Sequence, residues 1–397
     1  MKSVKTRLRQ GFGGQVKNLK KAAERIKKAV KNKEKIILYG DADMDGVGSV
    51  IILKEAIRNL GGEIVAIYFP DRETEGYGLN KDALDYLKNY APALLIVLDC
   101  GIGNFKETKL AKKFGFKVII VDHHEVLKKL PEAEIIVNPK QKGDRYPFKQ
   151  FAAAGVVFKL TEVLLGDKLT PSLRNNFLEL AALATIADMM VQEADNLEFL
   201  NQGLASLKNT LRPGLKVFLS FNQTTENTSR QLAQKIISAC HAGGTKNHLN
   251  EGYLLLTSIF SDKAEEMAKL LLEKSYARHF RIKEITEEIE QRILKKMEDP
   301  IIFEGDKDWP ILMAGPAASK ICNTYKKPVF LHNEKDGLCQ GAVRTPQGVD
   351  GVKVMMKCSK FLETYGGHPQ AAGFRVKNKN LEKFKKCLTQ YFKKTLK

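Results

Sequence analysis

Between residues 35 and 137 short apolar runs alternate with helix-length segments, and no other feature of the chain restricts its fold as strongly. The runs are IILY at 36–39, IVAIYF at 64–69, LLIVL at 94–98, VIIV at 118–121 and EIIV at 134–137, with helical patterns near 47–60, 80–90 and 104–114 between them. Strands that are apolar throughout are buried on both faces, and strands separated by helices pair in parallel through right-handed crossovers. The pattern predicts an α/β fold built on a doubly wound parallel sheet. In such sheets ligands bind beyond the carboxyl ends of the strands, so chemistry belongs in the residues directly after each run.

Three of those turns are acidic. The first run leads into Asp41-Ala42-Asp43-Met44-Asp45-Gly46, the third into Asp99-Cys100-Gly101 and the fourth into Asp122-His123-His124. A lone aspartate after a strand ordinarily caps a turn. Carboxylates massed on one sheet edge repel each other unless a cation compensates them, because burying each uncompensated charge costs several kcal/mol. A metal site follows, and its oxygen-rich donors with one or two histidines suit Mn²⁺ or Mg²⁺ better than a soft-ligand zinc centre. DADMDG also copies the opening of a calcium EF-hand loop. That loop needs a glutamate at its twelfth position, where Ile52 stands, and a preceding helix, where a strand is expected. His123 and His124 are adjacent on extended backbone, so they point to opposite sides and only one is expected to face a metal. Asp188 ends the apolar run LAALATIAD and could simply terminate a helix.

Beyond the sheet, residues 152–165 and 172–188 read as helices, and 262–298 as a long charged helix. The composition changes at Pro300 to short apolar runs with glycine-rich turns, which predicts a smaller C-terminal α+β domain joined by a long helical connector. The expected division is a basic N-terminal helix over 1–34, an α/β domain carrying the acidic turns over 35–220, a helical connector over 221–299 and a small domain over 300–397. The GFGG at 11–14 lacks a leading strand and a following Lys-Ser/Thr and reads as a turn.

The net charge of +19 favours an anionic partner such as nucleic acid. Residues 1–35 carry 13 Lys and Arg against two acidic residues, and 375–397 nine against one, so the body between them is neutral. These basic ends are either phosphate-backbone arms or lysine-rich solvated helix faces. No apolar run approaches the roughly 20 residues of a membrane span, and no signal-type segment follows the basic N-terminus, so no membrane partner and a cytoplasmic location are expected. The six cysteines are scattered without a CxxC pair, which predicts neither a structural zinc site nor a disulfide framework.

GDADMDG, LDCG, VDHHE and ATIADMM, followed by YGGHPQAAGF, resemble in order and spacing the DHH phosphoesterase superfamily, and within it the RecJ-type single-strand nucleases. The likeness covers about residues 35–375 and includes NPKQKGDRYPFKQFAAAGVVFKL and LRPGL. It implies two divalent ions, Mn²⁺ preferred and Mg²⁺ an alternative. Asp43 and Asp45 would bind separate ions, Asp99 would bridge them, and His123 and Asp188 would complete the ligand set of the second ion. Asp41, Asp122 and His124 would support the ligands or approach the phosphate. Gly366, Gly367 and His368 match the family's GGH segment facing the scissile phosphate, and Arg344 stands where RecJ-like proteins place a phosphate-binding arginine. The chain departs from the pattern at Thr245, where an arginine is expected, with Lys246 or His248 as substitutes. It also stops soon after the GGH unit, without the OB-type domain of longer bacterial relatives. Compact chains of this kind resemble archaeal members, some of which associate with the GINS replication complex.

The resemblance therefore implies a two-metal exonuclease of DNA repair or replication that hydrolyses single-stranded DNA or RNA from an end, 5′ to 3′. Two alternatives stand beside it: a phosphodiesterase of short oligonucleotides or dinucleotides, and a replication scaffold with little or no catalysis.

Overall fold

A computed structural model describes residues 14–126, 129–221, 228–294, 298–335 and 337–395. The first 13 residues of the basic N-terminal segment, most of the GFGG turn, residues 222–227 of the polar stretch and the last two lysine-end residues lie outside them. The chain divides into two compact units between Ser275 and Tyr276.

In the first unit α1 (Leu19–Lys31) precedes β1 (Ile36–Gly40), α2 (Met44–Asn59), β2 (Ile64–Tyr68), α3 (Lys81–Leu87), β3 (Ala93–Leu98), α4 (Phe105–Lys113), β4 (Phe116–Val121) and β5 (Ile135–Val137). The sheet order is β2-β1-β3-β4-β5, parallel throughout. Every residue of β1 and β3 is buried, as their unbroken apolar composition requires. Layers form on both faces: alternate residues such as Leu38 and Ile96 join the cluster containing α1 and α2, while Tyr39 and Val97 join the one containing α3. Helices α5 (Ala153–Leu165), α6 (Pro171–Ala187), α7 (Ala194–Leu207), α8 (Pro213–Ser220) and α9 (Ser229–Ala242) follow, then the short pair β6 (Thr245–Lys246) and β7 (Leu249–Asn250), and α10 (Glu251–Leu256). Helix α6 starts on a Thr170 cap with Pro171 in its first turn, and its buried face from Phe177 to Thr185 packs into the main core.

Helix α11 (Ser261–Ile293) carries the chain from one unit into the other. The second unit contains β8 (Ile302–Gly305), α12 (Ile311–Tyr325), β9 (Val329–Lys335), β10 (Leu338–Arg344), α13 (Gly351–Lys357), β11 (Thr364–His368), β12 (Ala371–Lys377) and α14 (Asn378–Thr395). Its sheet runs β11-β12-β10-β9-β8, antiparallel except for the β8–β9 pair. One face packs under α14 through Phe384 and Leu388, and the other under α12 through Ala317 and Ile321. No helix of the described residues is long and apolar enough to cross a membrane.

One expectation is overturned. Cys358 and Cys387 form a disulfide that ties the segment after α13 to α14. Their separation of 29 residues hides the pairing, because it takes the return of α14 across the sheet to bring the two Cα atoms to 6.0 Å, within bridging range. Cys100, Cys240, Cys322 and Cys339 are free and buried.

Candidate metal centre

The carboxyl ends of β1, β3 and β4 and the end of α6 assemble one acidic centre in the first unit. After β1 the chain turns so tightly that a Cβ on Gly46 would lie 2.2 Å from the Asp41 carbonyl oxygen, so only glycine fits. This turn lets Asp43 cap α2, its Oδ1 accepting from the N–H groups of Asp45 at 2.9 Å and Gly46 at 3.0 Å. The buried Asp45 carboxylate accepts from Ala153 at 2.6 Å and Ala154 at 2.7 Å, the amides that open α5. Asp99 leaves β3 with φ at 61°, a left-handed conformation that costs a residue with a side chain about 1–2 kcal/mol. The surrounding turn holds it there, and its Oδ1 accepts no hydrogen bond among the described residues.

Asp122 acts as a brace rather than a free ligand. Its Oδ2 accepts from Ile102 at 3.0 Å, and its Oδ1 from the His123 amide at 2.7 Å, the His124 amide at 3.1 Å and His124 Nδ1 at 2.8 Å. The two histidine rings do not point to opposite sides as expected: they lie edge to face with centroids 4.5 Å apart, because the backbone turns after β4, and they differ instead in their hydrogen bonds. His123 Nδ1 lies 2.7 Å from the Phe151 carbonyl oxygen, which can only accept, so the proton sits on Nδ1 and Nε2 is turned to the carboxylates. Nε2 is 3.3 Å from Asp99 Oδ1, 3.5 Å from Asp188 Oδ2 and 3.6 Å from Asp45 Oδ2. An imidazole anchored through one nitrogen on a backbone carbonyl, with the other facing acidic oxygens, has the build of a metal ligand with its outer support.

Electrostatics carry the same message. Burial, then Asp45 and Asp43, push the Asp99 carboxyl well up, and burial with Asp188 and Asp43 does so for Asp45. Asp188 is pushed up to about 7 by burial and then by Asp43. Burial also raises Asp41 against the pull of Arg72. Burial would raise Asp43 as well, but Arg72, His241 and the Gly46 N–H hold it well below the carboxylate range. Asp122 is likewise held low, because His124 outweighs its burial. Burial disfavours the charged form of His124, yet Asp122 raises it to about 9. Oxygens of Asp41, Asp43 and Asp99 lie within 4.8 Å of one another, and so do ligand atoms of Asp45, Asp99 and His123. Asp99 belongs to both groups. A donor set this rich in carboxylate oxygen, mutually destabilised while ionised, fits hard divalent cations.

Two residues of the centre escape sequence reasoning. Arg72 lies across the first pair of carboxylates, its Nε donating to Asp41 Oδ1 at 2.9 Å and its Nη2 to Asp43 Oδ2 at 2.9 Å and to Asp41 Oδ2. The Tyr77 hydroxyl donates to the Asp99 carbonyl oxygen at 3.1 Å and lies 3.2 Å from His124 Nδ1. Both follow β2, in PDRETEGYG, where the strand-end rule points as directly as it does after β1.

Thr245 lies in β6, its hydroxyl donating to the Pro70 carbonyl oxygen at 3.3 Å. His248 is occupied by rings, with centroids 4.3 Å from both Tyr68 and Tyr86, whereas Lys246 is exposed.

In the second unit Arg344 closes β10 and His368 closes β11, and both register on Ala371 of β12, so they share one end of the sheet. Arg344 Nε donates to Ser319 Oγ at 2.9 Å and Nη1 to the Val343 carbonyl oxygen at 2.9 Å. Gly315 gives the guanidinium room, since a Cβ there would lie 3.0 Å from Nη2. Gly366 pairs with Gly373, and Gly367, with φ at 127°, sits where a Cβ would lie 2.6 Å from the Ala371 carbonyl oxygen.

A parallel sheet whose strand ends gather an oxygen-rich cation centre, followed by a small mixed-sheet unit, defines a two-unit α/β protein built to hold hard metals. Residues 35–185 match the DHH family, N-terminal domain, and residues 294–394 the DHHA1 domain. The chain belongs to the DHH family and is RecJ-like within it. It is 34% identical over 387 residues to the single-stranded-DNA-specific exonuclease RecJ of Bacillus subtilis (strain 168), covering 96% of this chain and 48% of that one. Its likeness to the protein of the same name from Salmonella typhimurium is 28% over 404 residues, covering 93% and 68%. A crystal structure of an exonuclease RecJ bound to manganese matches with TM-score 0.76 and 25% identity, covering 96% of this chain and 95% of that one. The chain spans about half the length of the Bacillus subtilis relative.

Proposed function

We propose that this protein is a metal-dependent phosphodiesterase that removes nucleotides from an end of single-stranded nucleic acid, in the 5′-to-3′ direction. The observation that carries the reading is the position of Asp99, common to three sets of ligand atoms that each converge within 4.8 Å, with Asp41 and Asp43, with Asp45 and His123, and with Asp122 and His124. Asp43 and Asp99, with Asp41 behind them, would hold one divalent ion, and Asp45, Asp99, His123 and Asp188 the other. Such a pair, Mn²⁺ by preference, supplies an acidified water and charge compensation at the oxygens of an in-line displacement.

The chain's own residues supply the rest. The α5 amides fix Asp45, and Asp122 fixes the His124 ring and favours its protonated form, which would donate to a phosphate oxygen. Arg344 and His368 are assigned to the phosphate oxygens, with the glycines of GGH allowing a backbone to approach closely. Lys20, Lys21, Lys27, Lys28 and Lys31 are exposed on α1 and supply positive charge for a phosphate backbone.

Purified protein with Mn²⁺, given DNA and RNA strands labelled at either end, should shorten single strands progressively from the 5′ end. Asp99→Ala should lower the rate by at least about 10³-fold, the scale reached when stabilisation of the transition state is removed. Equal rates for variant and parent defeat the assignment, and a preference for dinucleotides over long strands converts it to an oligonucleotide phosphodiesterase.

A further inference from the structure

We propose that His332, Glu334 and Cys339 form a metal site in the second unit, apart from the acidic centre, that takes a borderline-soft divalent ion of the zinc class. Ligand atoms of the three lie within 4.8 Å of one another. Sheet register makes the group: His332 and Glu334 alternate onto one face of β9, and Cys339 of β10 stands directly opposite Glu334.

The surroundings leave His332 available. It is only 5% exposed, and its Nδ1 has no hydrogen-bond partner among the described residues. A buried imidazole nitrogen in that condition is costly and calls for a cation or donor. Its ring is bedded over Gly305, where a Cβ would lie 1.9 Å from Cε1, so the glycine is what admits it. Burial, against Glu304 and with Lys385, lowers its pKa to about 4, which leaves the ring neutral and able to ligate at physiological pH.

Cys339 is buried, and its Sγ donates to Asn378 Oδ1 at 3.2 Å where α14 begins. Burial and Glu334 push the thiol up to about 11, so it is protonated until a metal arrives. Binding would break the S–H bond, release that proton to solvent and form a metal–sulfur bond. Glu334 is exposed and offers the path of entry. One nitrogen, one sulfur and one carboxylate oxygen, with a fourth position left to water, is a tetrahedral zinc donor set, and the thiolate discriminates against Mg²⁺ and Mn²⁺.

The test is a Co²⁺ titration of the full chain after chelator treatment, read as sulfur-to-cobalt charge-transfer absorption in the near ultraviolet. The expected result is a saturating band whose intensity corresponds to one thiolate-bound Co²⁺ per chain, beyond the Co²⁺ that the acidic centre takes up without such a band, and that Zn²⁺ erases. It should persist in Asp99→Asn and Cys100→Ala, disappear in Cys339→Ser, and require at least about tenfold more Co²⁺ in Glu334→Gln. Glu334 is exposed, so that variant reports on affinity without endangering the fold. No band in the parent, a band surviving Cys339→Ser, a band lost with Asp99→Asn, or unchanged affinity in Glu334→Gln would each overturn the proposal.

Discussion

The acidic centre of the first unit and the His332, Glu334 and Cys339 group of the second are both gathered by a sheet, but by different geometry. In the parallel sheet every strand ends on the same edge, so Asp43, Asp99 and His123 meet although they are tens of residues apart in the chain. Each sits just past the end of a strand, the Asp99 N–H still donating to the Val121 carbonyl oxygen of β4 at 3.0 Å, and the donors are almost all oxygen. In the mixed sheet the group forms on a face, across one hairpin, where side chains opposite each other come close automatically. Such a face admits whatever the two strands carry, here nitrogen, oxygen and sulfur. Edges of parallel sheets therefore collect hard-ion sites from distant sequence, whereas faces of hairpins make small mixed sites from local sequence. Metal preference is the property that separates them: Mn²⁺ should restore hydrolysis and give no thiolate signal, and Zn²⁺ should displace the cobalt band.

The largest effect that sharpens this contrast is the loss of hydrolysis in Asp99→Ala. Next is Arg72, which in the metal-free protein neutralises Asp41 and Asp43. Removing one partner of a mostly buried pair costs about 3 kcal/mol. Arg72→Met should thus destabilise the protein by about that amount in chelator, and by much less in saturating Mn²⁺, where a cation takes over the compensation. A penalty of equal size with and without Mn²⁺ would mean that the guanidinium and the metal do not face the same carboxylates. No such dependence on Mn²⁺ is expected for Glu334→Gln.

These contrasts also mark what could be read from the chain alone. The parallel sheet was legible because both-face burial leaves unbroken apolar runs, and three acidic turns followed from applying the strand-end rule to β1, β3 and β4. Arg72 and Tyr77 lie after β2 and were reachable by the same rule, but an arginine and a tyrosine among polar residues do not stand out as carboxylates do. The group on β9 and β10 was hidden for a different reason. Register decides which residues face each other across a hairpin, and nothing in NEKDGLCQ indicates that Cys339 stands opposite Glu334. The disulfide between Cys358 and Cys387 depends on how α14 returns over the sheet, which is a tertiary fact.

A smaller effect concerns pH. Asp188 has an ordinary value of 3.8 and is raised to about 7 in the folded protein, and Asp41, Asp45 and Asp99 are raised too. A carboxyl raised on folding stabilises while it is protonated. That contribution is complete below about pH 4 and is lost as pH climbs through about 7. His124, raised from 6.5 to about 9, adds a loss of the same sign at higher pH. The melting temperature of metal-free protein should accordingly fall by several degrees between pH 5 and pH 8, whereas Mn²⁺, if the ionised carboxylates hold it as proposed, should raise it more at pH 8 than at pH 5. A flat profile in chelator would show that the carboxylates are not held against one another.

The smallest effect expected is at Tyr77. Its hydroxyl joins the backbone of the shared Asp99 to the ring of His124, so it holds the left-handed turn after β3 against the histidine turn after β4. Tyr77→Phe keeps the ring and removes only these contacts, each with a net value of about 1 kcal/mol. Hydrolysis should slow by about three- to tenfold through kcat, with KM for a long strand little changed and Mn²⁺ affinity lowered slightly. The hydroxyl touches no metal-facing oxygen directly, only the backbone carbonyl of Asp99. A loss as large as that of Asp99→Ala would therefore assign Tyr77 to the reacting phosphate rather than to the positioning of the edge.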